Sequence, residues 1–291
     1  MVAFMQLIVS GLTVGAIYAL VAVGFTLIYR ASDIFNFSQG EFFMLGGMLG
    51  GIAMASYGLP YPIAALVACV ITVGFGLALY FYGIRKARQA SPVQLLILTI
   101  GASMLVRGLA SALLGKNFVS LPGLLPWQTW RVGGVVIQTQ AVVIILGTGL
   151  IVFALWAFMS RTLTGKAIVG VASNALGAQL MGINKSVVVG LCFGLSAFIG
   201  ALGGILATPI TLMSFDSGVM LAIKGFTGAM LGGMGRPYGP VVGGLLVGLL
   251  EAFGAGYVSS VYKDAFALVV LLMVFALRPQ GLFASSSVER V

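Results

Sequence analysis

Four ionisable residues interrupt otherwise apolar runs: Glu41 in NFSQGEFFML, Arg107 in LTIGASMLVRGLASALLG, Lys224 in MLAIKGFTGAM and Glu251 in VGLLEAFGAGY. A charge stripped of water inside hydrocarbon is costly, so such residues line a solute pathway, act in its gating, pair across helices or snorkel to the surface. Arg107 and Lys224 are both candidate partners for Glu251. Asn36, Ser38 and Gln39, just before Glu41, form a polar break in FNFSQGEFF beside Gly47 and Gly50. The break reads either as a turn outside the bilayer or as unwound backbone lining a pathway. The chain has no histidine. The commonest zinc and haem ligand and the commonest acid–base residue are therefore missing, and no Ser or Cys has a His base. These residues point to moving a solute, not to catalysis or to a metal site.

A second stretch, RTLTGKAIVGVASNALGAQLMGINKS at 161–186, carries three basic residues and no acidic one. Ile168, Val171, Ala172, Ala175, Leu176, Leu180 and Ile183 recur at helical spacing, with Lys166, Ser173, Asn174, Gln179 and Asn184 elsewhere on the wheel. Asn174 suits the start of a short helix and Gly182 its end, which predicts two helical pieces with a joint near Ser173. Such an element lies on the inner leaflet, held by Lys166 and Lys185, or docks on a soluble partner.

The elements that must position these residues are membrane helices. With 60% hydrophobic residues, 7% charged residues and a mean hydropathy of +1.14, the 291-residue chain lies outside the soluble range. Continuous apolar runs near 4–29, 40–57, 61–83, 92–114, 138–159, 187–212, 218–234, 240–258 and 264–279 predict an all-α, polytopic helix bundle of eight or nine crossings. The run at 218–234, short and rich in Gly, suits a broken or re-entrant helix. All of 1–291 reads as one transmembrane domain. The run at 4–29 lacks a basic n-region and is read as a retained span.

Basic loops orient the bundle. Counting nine spans puts Arg30, the RKAR at 85–88, Arg161, Lys166, Lys185, Arg236, Arg278 and Arg290 on one side, against Lys116, Arg131 and Lys263 on the other. This predicts a cytoplasmic 161–186 segment, an outward N-terminus, a cytoplasmic C-terminus and an external loop at 115–137, with Trp127 and Trp130 in an interfacial belt. The net charge of +9 is spread over these loops and does not form a nucleic-acid footprint. Cys69 and Cys192 sit in apolar runs and read as buried small hydrophobes. GxxxG spacing at Gly11/Gly15, Gly46/Gly50, Gly200/Gly204, Gly228/Gly232 and Gly244/Gly248 predicts close helix packing, although each pair taken alone fits coincidence in a chain of 42 glycines. The string MLGGM at 44–48 and 230–234 either marks an internal repeat or is a chance match.

RTLTGKAIVGVASNALGAQLMGIN, RASDIFNFSQGEFFMLGGM at 30–48 and LLEAFGAGYVSSVYKDAFALVVLLMVFALRPQGLF at 249–283 together resemble the LivH-type permease subunits of branched-chain amino-acid ABC importers, in the family's order and over nearly the whole chain. The resemblance implies that 161–186 is a coupling loop seated on an ATPase through Gly165, Ala167, Asn174, Ala178, Leu180, Gly182 and Ile183. Where the family commonly has an Arg two residues beyond the position of Ala167, this chain has Val169, so a salt bridge to the ATPase is not expected there. No G-x-x-x-x-G-K-[ST] loop occurs, so this chain binds no ATP and needs no cofactor of its own. The implied partners are a second permease subunit in a heterodimer, two cytoplasmic ATPase subunits, a periplasmic or extracellular solute-binding protein and the lipid of a bacterial inner membrane. Branched-chain amino acids, urea, short amides and aromatic acids all fit the family architecture. A self-contained secondary transporter or channel is the alternative from another class.

Overall fold

The computed structural model describes residues 1–87, 90–126, 128–234, 238–277 and 281–282. Arg88, Arg236, Arg278 and Arg290, which count towards the orientation of the bundle, and Trp127 of the expected interfacial belt lie outside the described residues.

Each of the nine apolar runs is helical. In order they are α1 (Val2–Ser32), α2 (Gln39–Ala55), α3 (Tyr61–Ala78, continued by a π-helical turn at Leu79–Ile84), α4 (Pro92–Leu113), α5 (Thr139–Arg161), α8 (Lys185–Thr211), α9 (Ser217–Gly232), α10 (Gly239–Tyr257) and α11 (Lys263–Leu277). Between α5 and α8 come α6 (Leu163–Ser173) and α7 (Ala175–Leu180). Among the described residues, six helices are long and apolar enough to cross a membrane: α1, α3 with its π turn, α4, α5, α8 and α10. The predicted external loop is not wholly irregular. It carries a two-stranded antiparallel hairpin, β1 (Thr129–Val132) and β2 (Val135–Gln138), whose Gly133 and Gly134 adopt the positive φ that a tight turn requires. The Gln6 side chain ties α1 to the hairpin through both backbone polar groups of Val136.

The centre is built from α1, α2, α8, α9 and α10, and all five GxxxG pairs lie at their contacts. A Cβ on Gly244 would strike the backbone of Ala19, one on Gly248 the backbone of Gly15, and one on Gly46 the backbone of Ala201. Lipid tails are as apolar as leucine, so helices in a bilayer gain most from van der Waals contact at this range, which only the smallest residues permit. Coincidence does not explain the pattern.

An internal repeat exists, but MLGGM does not mark it. Met44 lies near the start of α2, whereas Met230 lies near the end of α9, and Gly233 and Met234 fall beyond that helix. The related positions are Phe37–Ser38–Gln39–Gly40 and Phe215–Asp216–Ser217–Gly218. One constant offset along the chain relates these and also carries the start of α3 onto the start of α10, Pro62 onto Pro240. Ser196 of α8 meets Gly24 of α1, and Gly203 meets Leu20, so the two units run in opposite directions. In both units a long helix ends at a non-glycine residue with positive φ, Asp33 (59°) or Leu212 (48°). The chain then doubles back and starts a shorter helix partway up. Gln39 of α2 starts beside Gly24, roughly 12 Å above the end of α1 at 1.5 Å per residue. The break expected at 218–234 is thus matched by one before α2, where FNFSQG takes the unwound form that is one of its two readings, and the two short helices meet at their N-termini. A Cβ on Gly40 would strike the carbonyl of Gly218.

Candidate functional site: a polar seam, a buried charge cluster and an exposed helical tip

At the start of α2, the unwound stretch at 35–38 is tied to Thr99 of α4, and the Gln39 side chain is tied to Ser196 of α8. Asn36 Oδ1 accepts from the Ser38 amide at 3.2 Å, Ser38 Oγ donates to the Thr99 carbonyl at 2.8 Å, and the Phe37 amide donates to Thr99 Oγ1 at 3.3 Å. Gln39 Nε2 donates to the Ser196 carbonyl at 3.3 Å, and Ser196 Oγ lies 2.5 Å from Gln39 Oε1 and 2.9 Å from the Gly24 carbonyl. Glu41 is fully buried. Its Oε1 accepts from Ser103 Oγ at 2.8 Å and pairs with Arg107 Nε at 3.4 Å, while Oε2 has no hydrogen-bond partner and rests against Gly218 at the start of α9. A carboxylate at a helix N-terminus is favoured by the exposed backbone N–H groups and the helix dipole.

A second cluster joins α1, α9, α10 and α11. Lys224 Nζ donates to Glu251 Oε1 at 2.8 Å and to Asp264 Oδ1 at 2.6 Å, and lies 5.3 Å from the centre of the Tyr18 ring. Tyr18 OH donates to Glu251 Oε2 at 2.8 Å. Lys224 and Glu251 are buried, but the Asp264 side chain is 46% exposed; in the first cluster, the Arg107 side chain is 30% exposed. Each cluster thus sends one charged side chain towards the surface, from α4 in one case and from α11 in the other.

The 161–186 segment folds as two short helices with the predicted joint. Thr162 caps α6 by accepting from the Gly165 amide at 2.9 Å, and Asn174 caps α7 by accepting from the Gly177 amide at 2.8 Å. Its apolar residues divide between two surfaces. Ile168, Val171 and Ala178 are buried against the bundle, and Gly165 abuts the backbone of Phe158 and Met159. Leu176, Leu180 and Met181 stand out at 71%, 82% and 84% exposure.

Residues 7–276 match the family described as the branched-chain amino acid transport system permease component. The high-affinity branched-chain amino acid permease BraD of Pseudomonas aeruginosa is 33% identical over 99% of this chain and 98% of its own length. LivH of Escherichia coli K12 is 32% identical, with the same two shares. The chain belongs to this permease family. It is a multi-pass membrane permease component of an ABC importer for branched-chain amino acids or a related solute, not an enzyme and not a self-contained transporter. Similarity extends to the ribose import permease RbsC of Haemophilus influenzae, 28% identical over 90% of this chain and 81% of that protein.

The residues expected to share one pathway fall into two groups in this permease. Asn36, Ser38, Gln39, Glu41 and Arg107 gather at the start of α2, and Lys224 and Glu251 lie in the other cluster. Of the two partners open to Glu251, the structure selects Lys224, because Arg107 is engaged by Glu41. Among the expected coupling residues, Gly165 and Ala178 are buried, Ala167 and Ile183 are half-buried, and Asn174, Leu180 and Gly182 are exposed. Gly182 provides a turn, with φ +86° and no neighbour of this chain within 4 Å of a Cβ placed there. The single apolar stripe drawn from Ile168 to Ile183 is corrected. The change of direction at Asn174 turns Leu176 and Leu180 away from Ile168 and Val171. Sequence reasoning missed Thr99, Ser103, Ser196, Tyr18 and Asp264. Thr99, Ser103 and Arg107 lie four apart on one face of α4, a polar stripe visible in the sequence, whereas Asp264, at the edge of the last apolar run, has no such pattern around it.

Proposed function

We propose that this permease supplies one wall of a translocation pathway for a branched-chain amino acid or a chemically similar solute, closed against a second, non-identical permease subunit, and that α6–α7 carries the closure of two cytoplasmic ATPase subunits into the bundle. The observation that carries the proposal is the division of the 161–186 segment. One surface is packed into the bundle, and the other presents Leu176, Leu180 and Met181 with nothing covering them. Exposed leucines on a capped, firmly seated helix form a small apolar knob, the kind of anchor that fills a pocket on a partner. Because Ile168, Val171 and Ala178 lie in the same core cluster as residues of α1, α2 and α8, a push on the knob reaches the helices that hold Gln39 and Glu41.

The partly exposed Arg107 and Asp264 support the second subunit, since charges on an outer helix face within a membrane call for a protein or water-lined neighbour. On this reading Asn36, Ser38, Gln39, Glu41 and Arg107 line or gate the pathway, Lys224 and Glu251 lock α9 to α10 and α11, and nine crossings place the N-terminus outside and α6–α7 inside a bacterial inner membrane. A solute-binding protein delivers solute to the outer face, and any ATP is bound by the ATPase subunits. A cysteine at Leu180 in the assembled importer tests the docking directly. It is expected to cross-link to an ATPase subunit and to be protected from thiol reagents by that subunit; a cysteine at Leu180 that labels equally with and without ATPase subunits rejects the reading.

A further inference from the structure

A groove of about 870 Å³ runs between α1, α5, α6 and α10 at the end of the bundle where Arg30 and Lys166 lie. Its walls are apolar, with Val23, Phe153, Trp156 and Val241 among them, and Phe153 and Trp156 are 60% and 54% exposed. Arg30 and Lys166 both line it, and among the described residues no acidic one does. Among the described residues, neither cation has a carboxylate within ion-pair distance. Elsewhere in the bundle, Arg107 and Lys224 are each matched by a carboxylate. Two cations without a carboxylate partner beside an apolar groove form the complement of one kind of molecule, with an anionic head and a hydrocarbon tail.

We propose that this groove binds an anionic phospholipid of the leaflet bordering the basic loops, with the phosphate between Arg30 and Lys166 and an acyl chain along Phe153, Trp156 and Val241. Bilayer geometry supports this occupant. The basic residues sit at the C-terminal end of α1 and in the first turn of α6, where the headgroup layer meets the helix ends, and the apolar wall continues up α5 in the direction that a lipid tail takes. The exposed charges that call for a second subunit, Arg107 and Asp264, lie instead on α4 and α11, and neither of those helices lines the groove.

Native mass spectrometry of the purified full-length permease, titrated with phosphatidylglycerol and separately with phosphatidylcholine, tests the proposal. One phosphatidylglycerol is expected to be retained about 30-fold more tightly than phosphatidylcholine, on the basis of two basic contacts. The Arg30→Gln/Lys166→Gln variant should abolish the preference, and Val241→Phe, which fills the groove without changing charge, should lower retention of both lipids. Gel filtration of each variant establishes that the bundle is intact. Equal retention of the two lipids, an unchanged preference in the charge variant, or displacement of phosphatidylglycerol by inorganic phosphate alone overturns the proposal. So does cross-linking of a cysteine at Phe153 to a second permease subunit, because protein would then occupy the groove.

Discussion

The Glu41–Arg107 pair shows how unevenly two partners can share the cost of burial. Glu41 is fully enclosed while Arg107 reaches towards the surface, so the carboxylate depends on the guanidinium more than the reverse. Arg107→Ala leaves a buried carboxylate with only the Ser103 hydroxyl as partner, and about 2 kcal/mol or more of stability is expected to go with it. Glu41→Gln removes the charge, keeps an acceptor for Ser103 and lets Arg107 turn outward, so its cost should be the smaller of the two. Thermal unfolding in detergent measures the difference, and the double variant Glu41→Gln/Arg107→Ala should recover part of the Arg107→Ala loss. Glu41, Arg107, Lys224 and Glu251 were legible as candidates because charges are rare in this sequence. Their pairing was not, since the chain reversals at Asp33 and Leu212 decide which charges meet.

At the scale of elements, glycine sets how near helices approach. The crossing of α1 and α10 is the clearest case, because Gly11, Gly15, Gly244 and Gly248 let the two backbones come into direct contact. Gly248→Ala would put a methyl group into the backbone of Gly15 and should give a poorly assembled protein, seen as a loss of the monodisperse peak on gel filtration. Gly74→Ala in α3, where a Cβ meets nothing within 4 Å, should leave assembly unchanged or slightly stabilise the helix, by up to about 1 kcal/mol. The GxxxG spacing and the nine apolar runs gave these helices from the sequence alone. That α2 starts partway along α1 did not show there, because the run from Gly40 continues for nearly a span's worth of apolar residues, whereas the break lies in how FNFSQG folds back beside α1. The α6–α7 joint was legible because Asn174 has the side chain of a cap, but the fate of Leu176 and Leu180 depends on a turn that helical periodicity does not register.

For the whole molecule, orientation decides which end meets ATPase and which meets solute. Ser91, Ser120 and Ser173 are exposed, and both native cysteines are buried, so single cysteines at the serine positions report topology without interference. In intact cells a cysteine at Ser120 is expected to react with an impermeant thiol reagent, and cysteines at Ser91 and Ser173 only after the membrane is opened; the reverse pattern inverts the topology. The claim on which the rest of this account depends is that the exposed tip of α7 transmits ATPase closure to the bundle, and solute uptake by the reconstituted importer carrying Leu180→Asp tests it most directly. Leu180 is 82% exposed, so the substitution should leave the bundle folded. A carboxylate buried against an apolar pocket on a partner costs more than 1.4 kcal/mol, and ATP-driven uptake is therefore expected to fall by about tenfold or more while the purified permease stays monodisperse. Uptake within about twofold of the unaltered importer, by the same conversion of free energy to rate, would contradict the account.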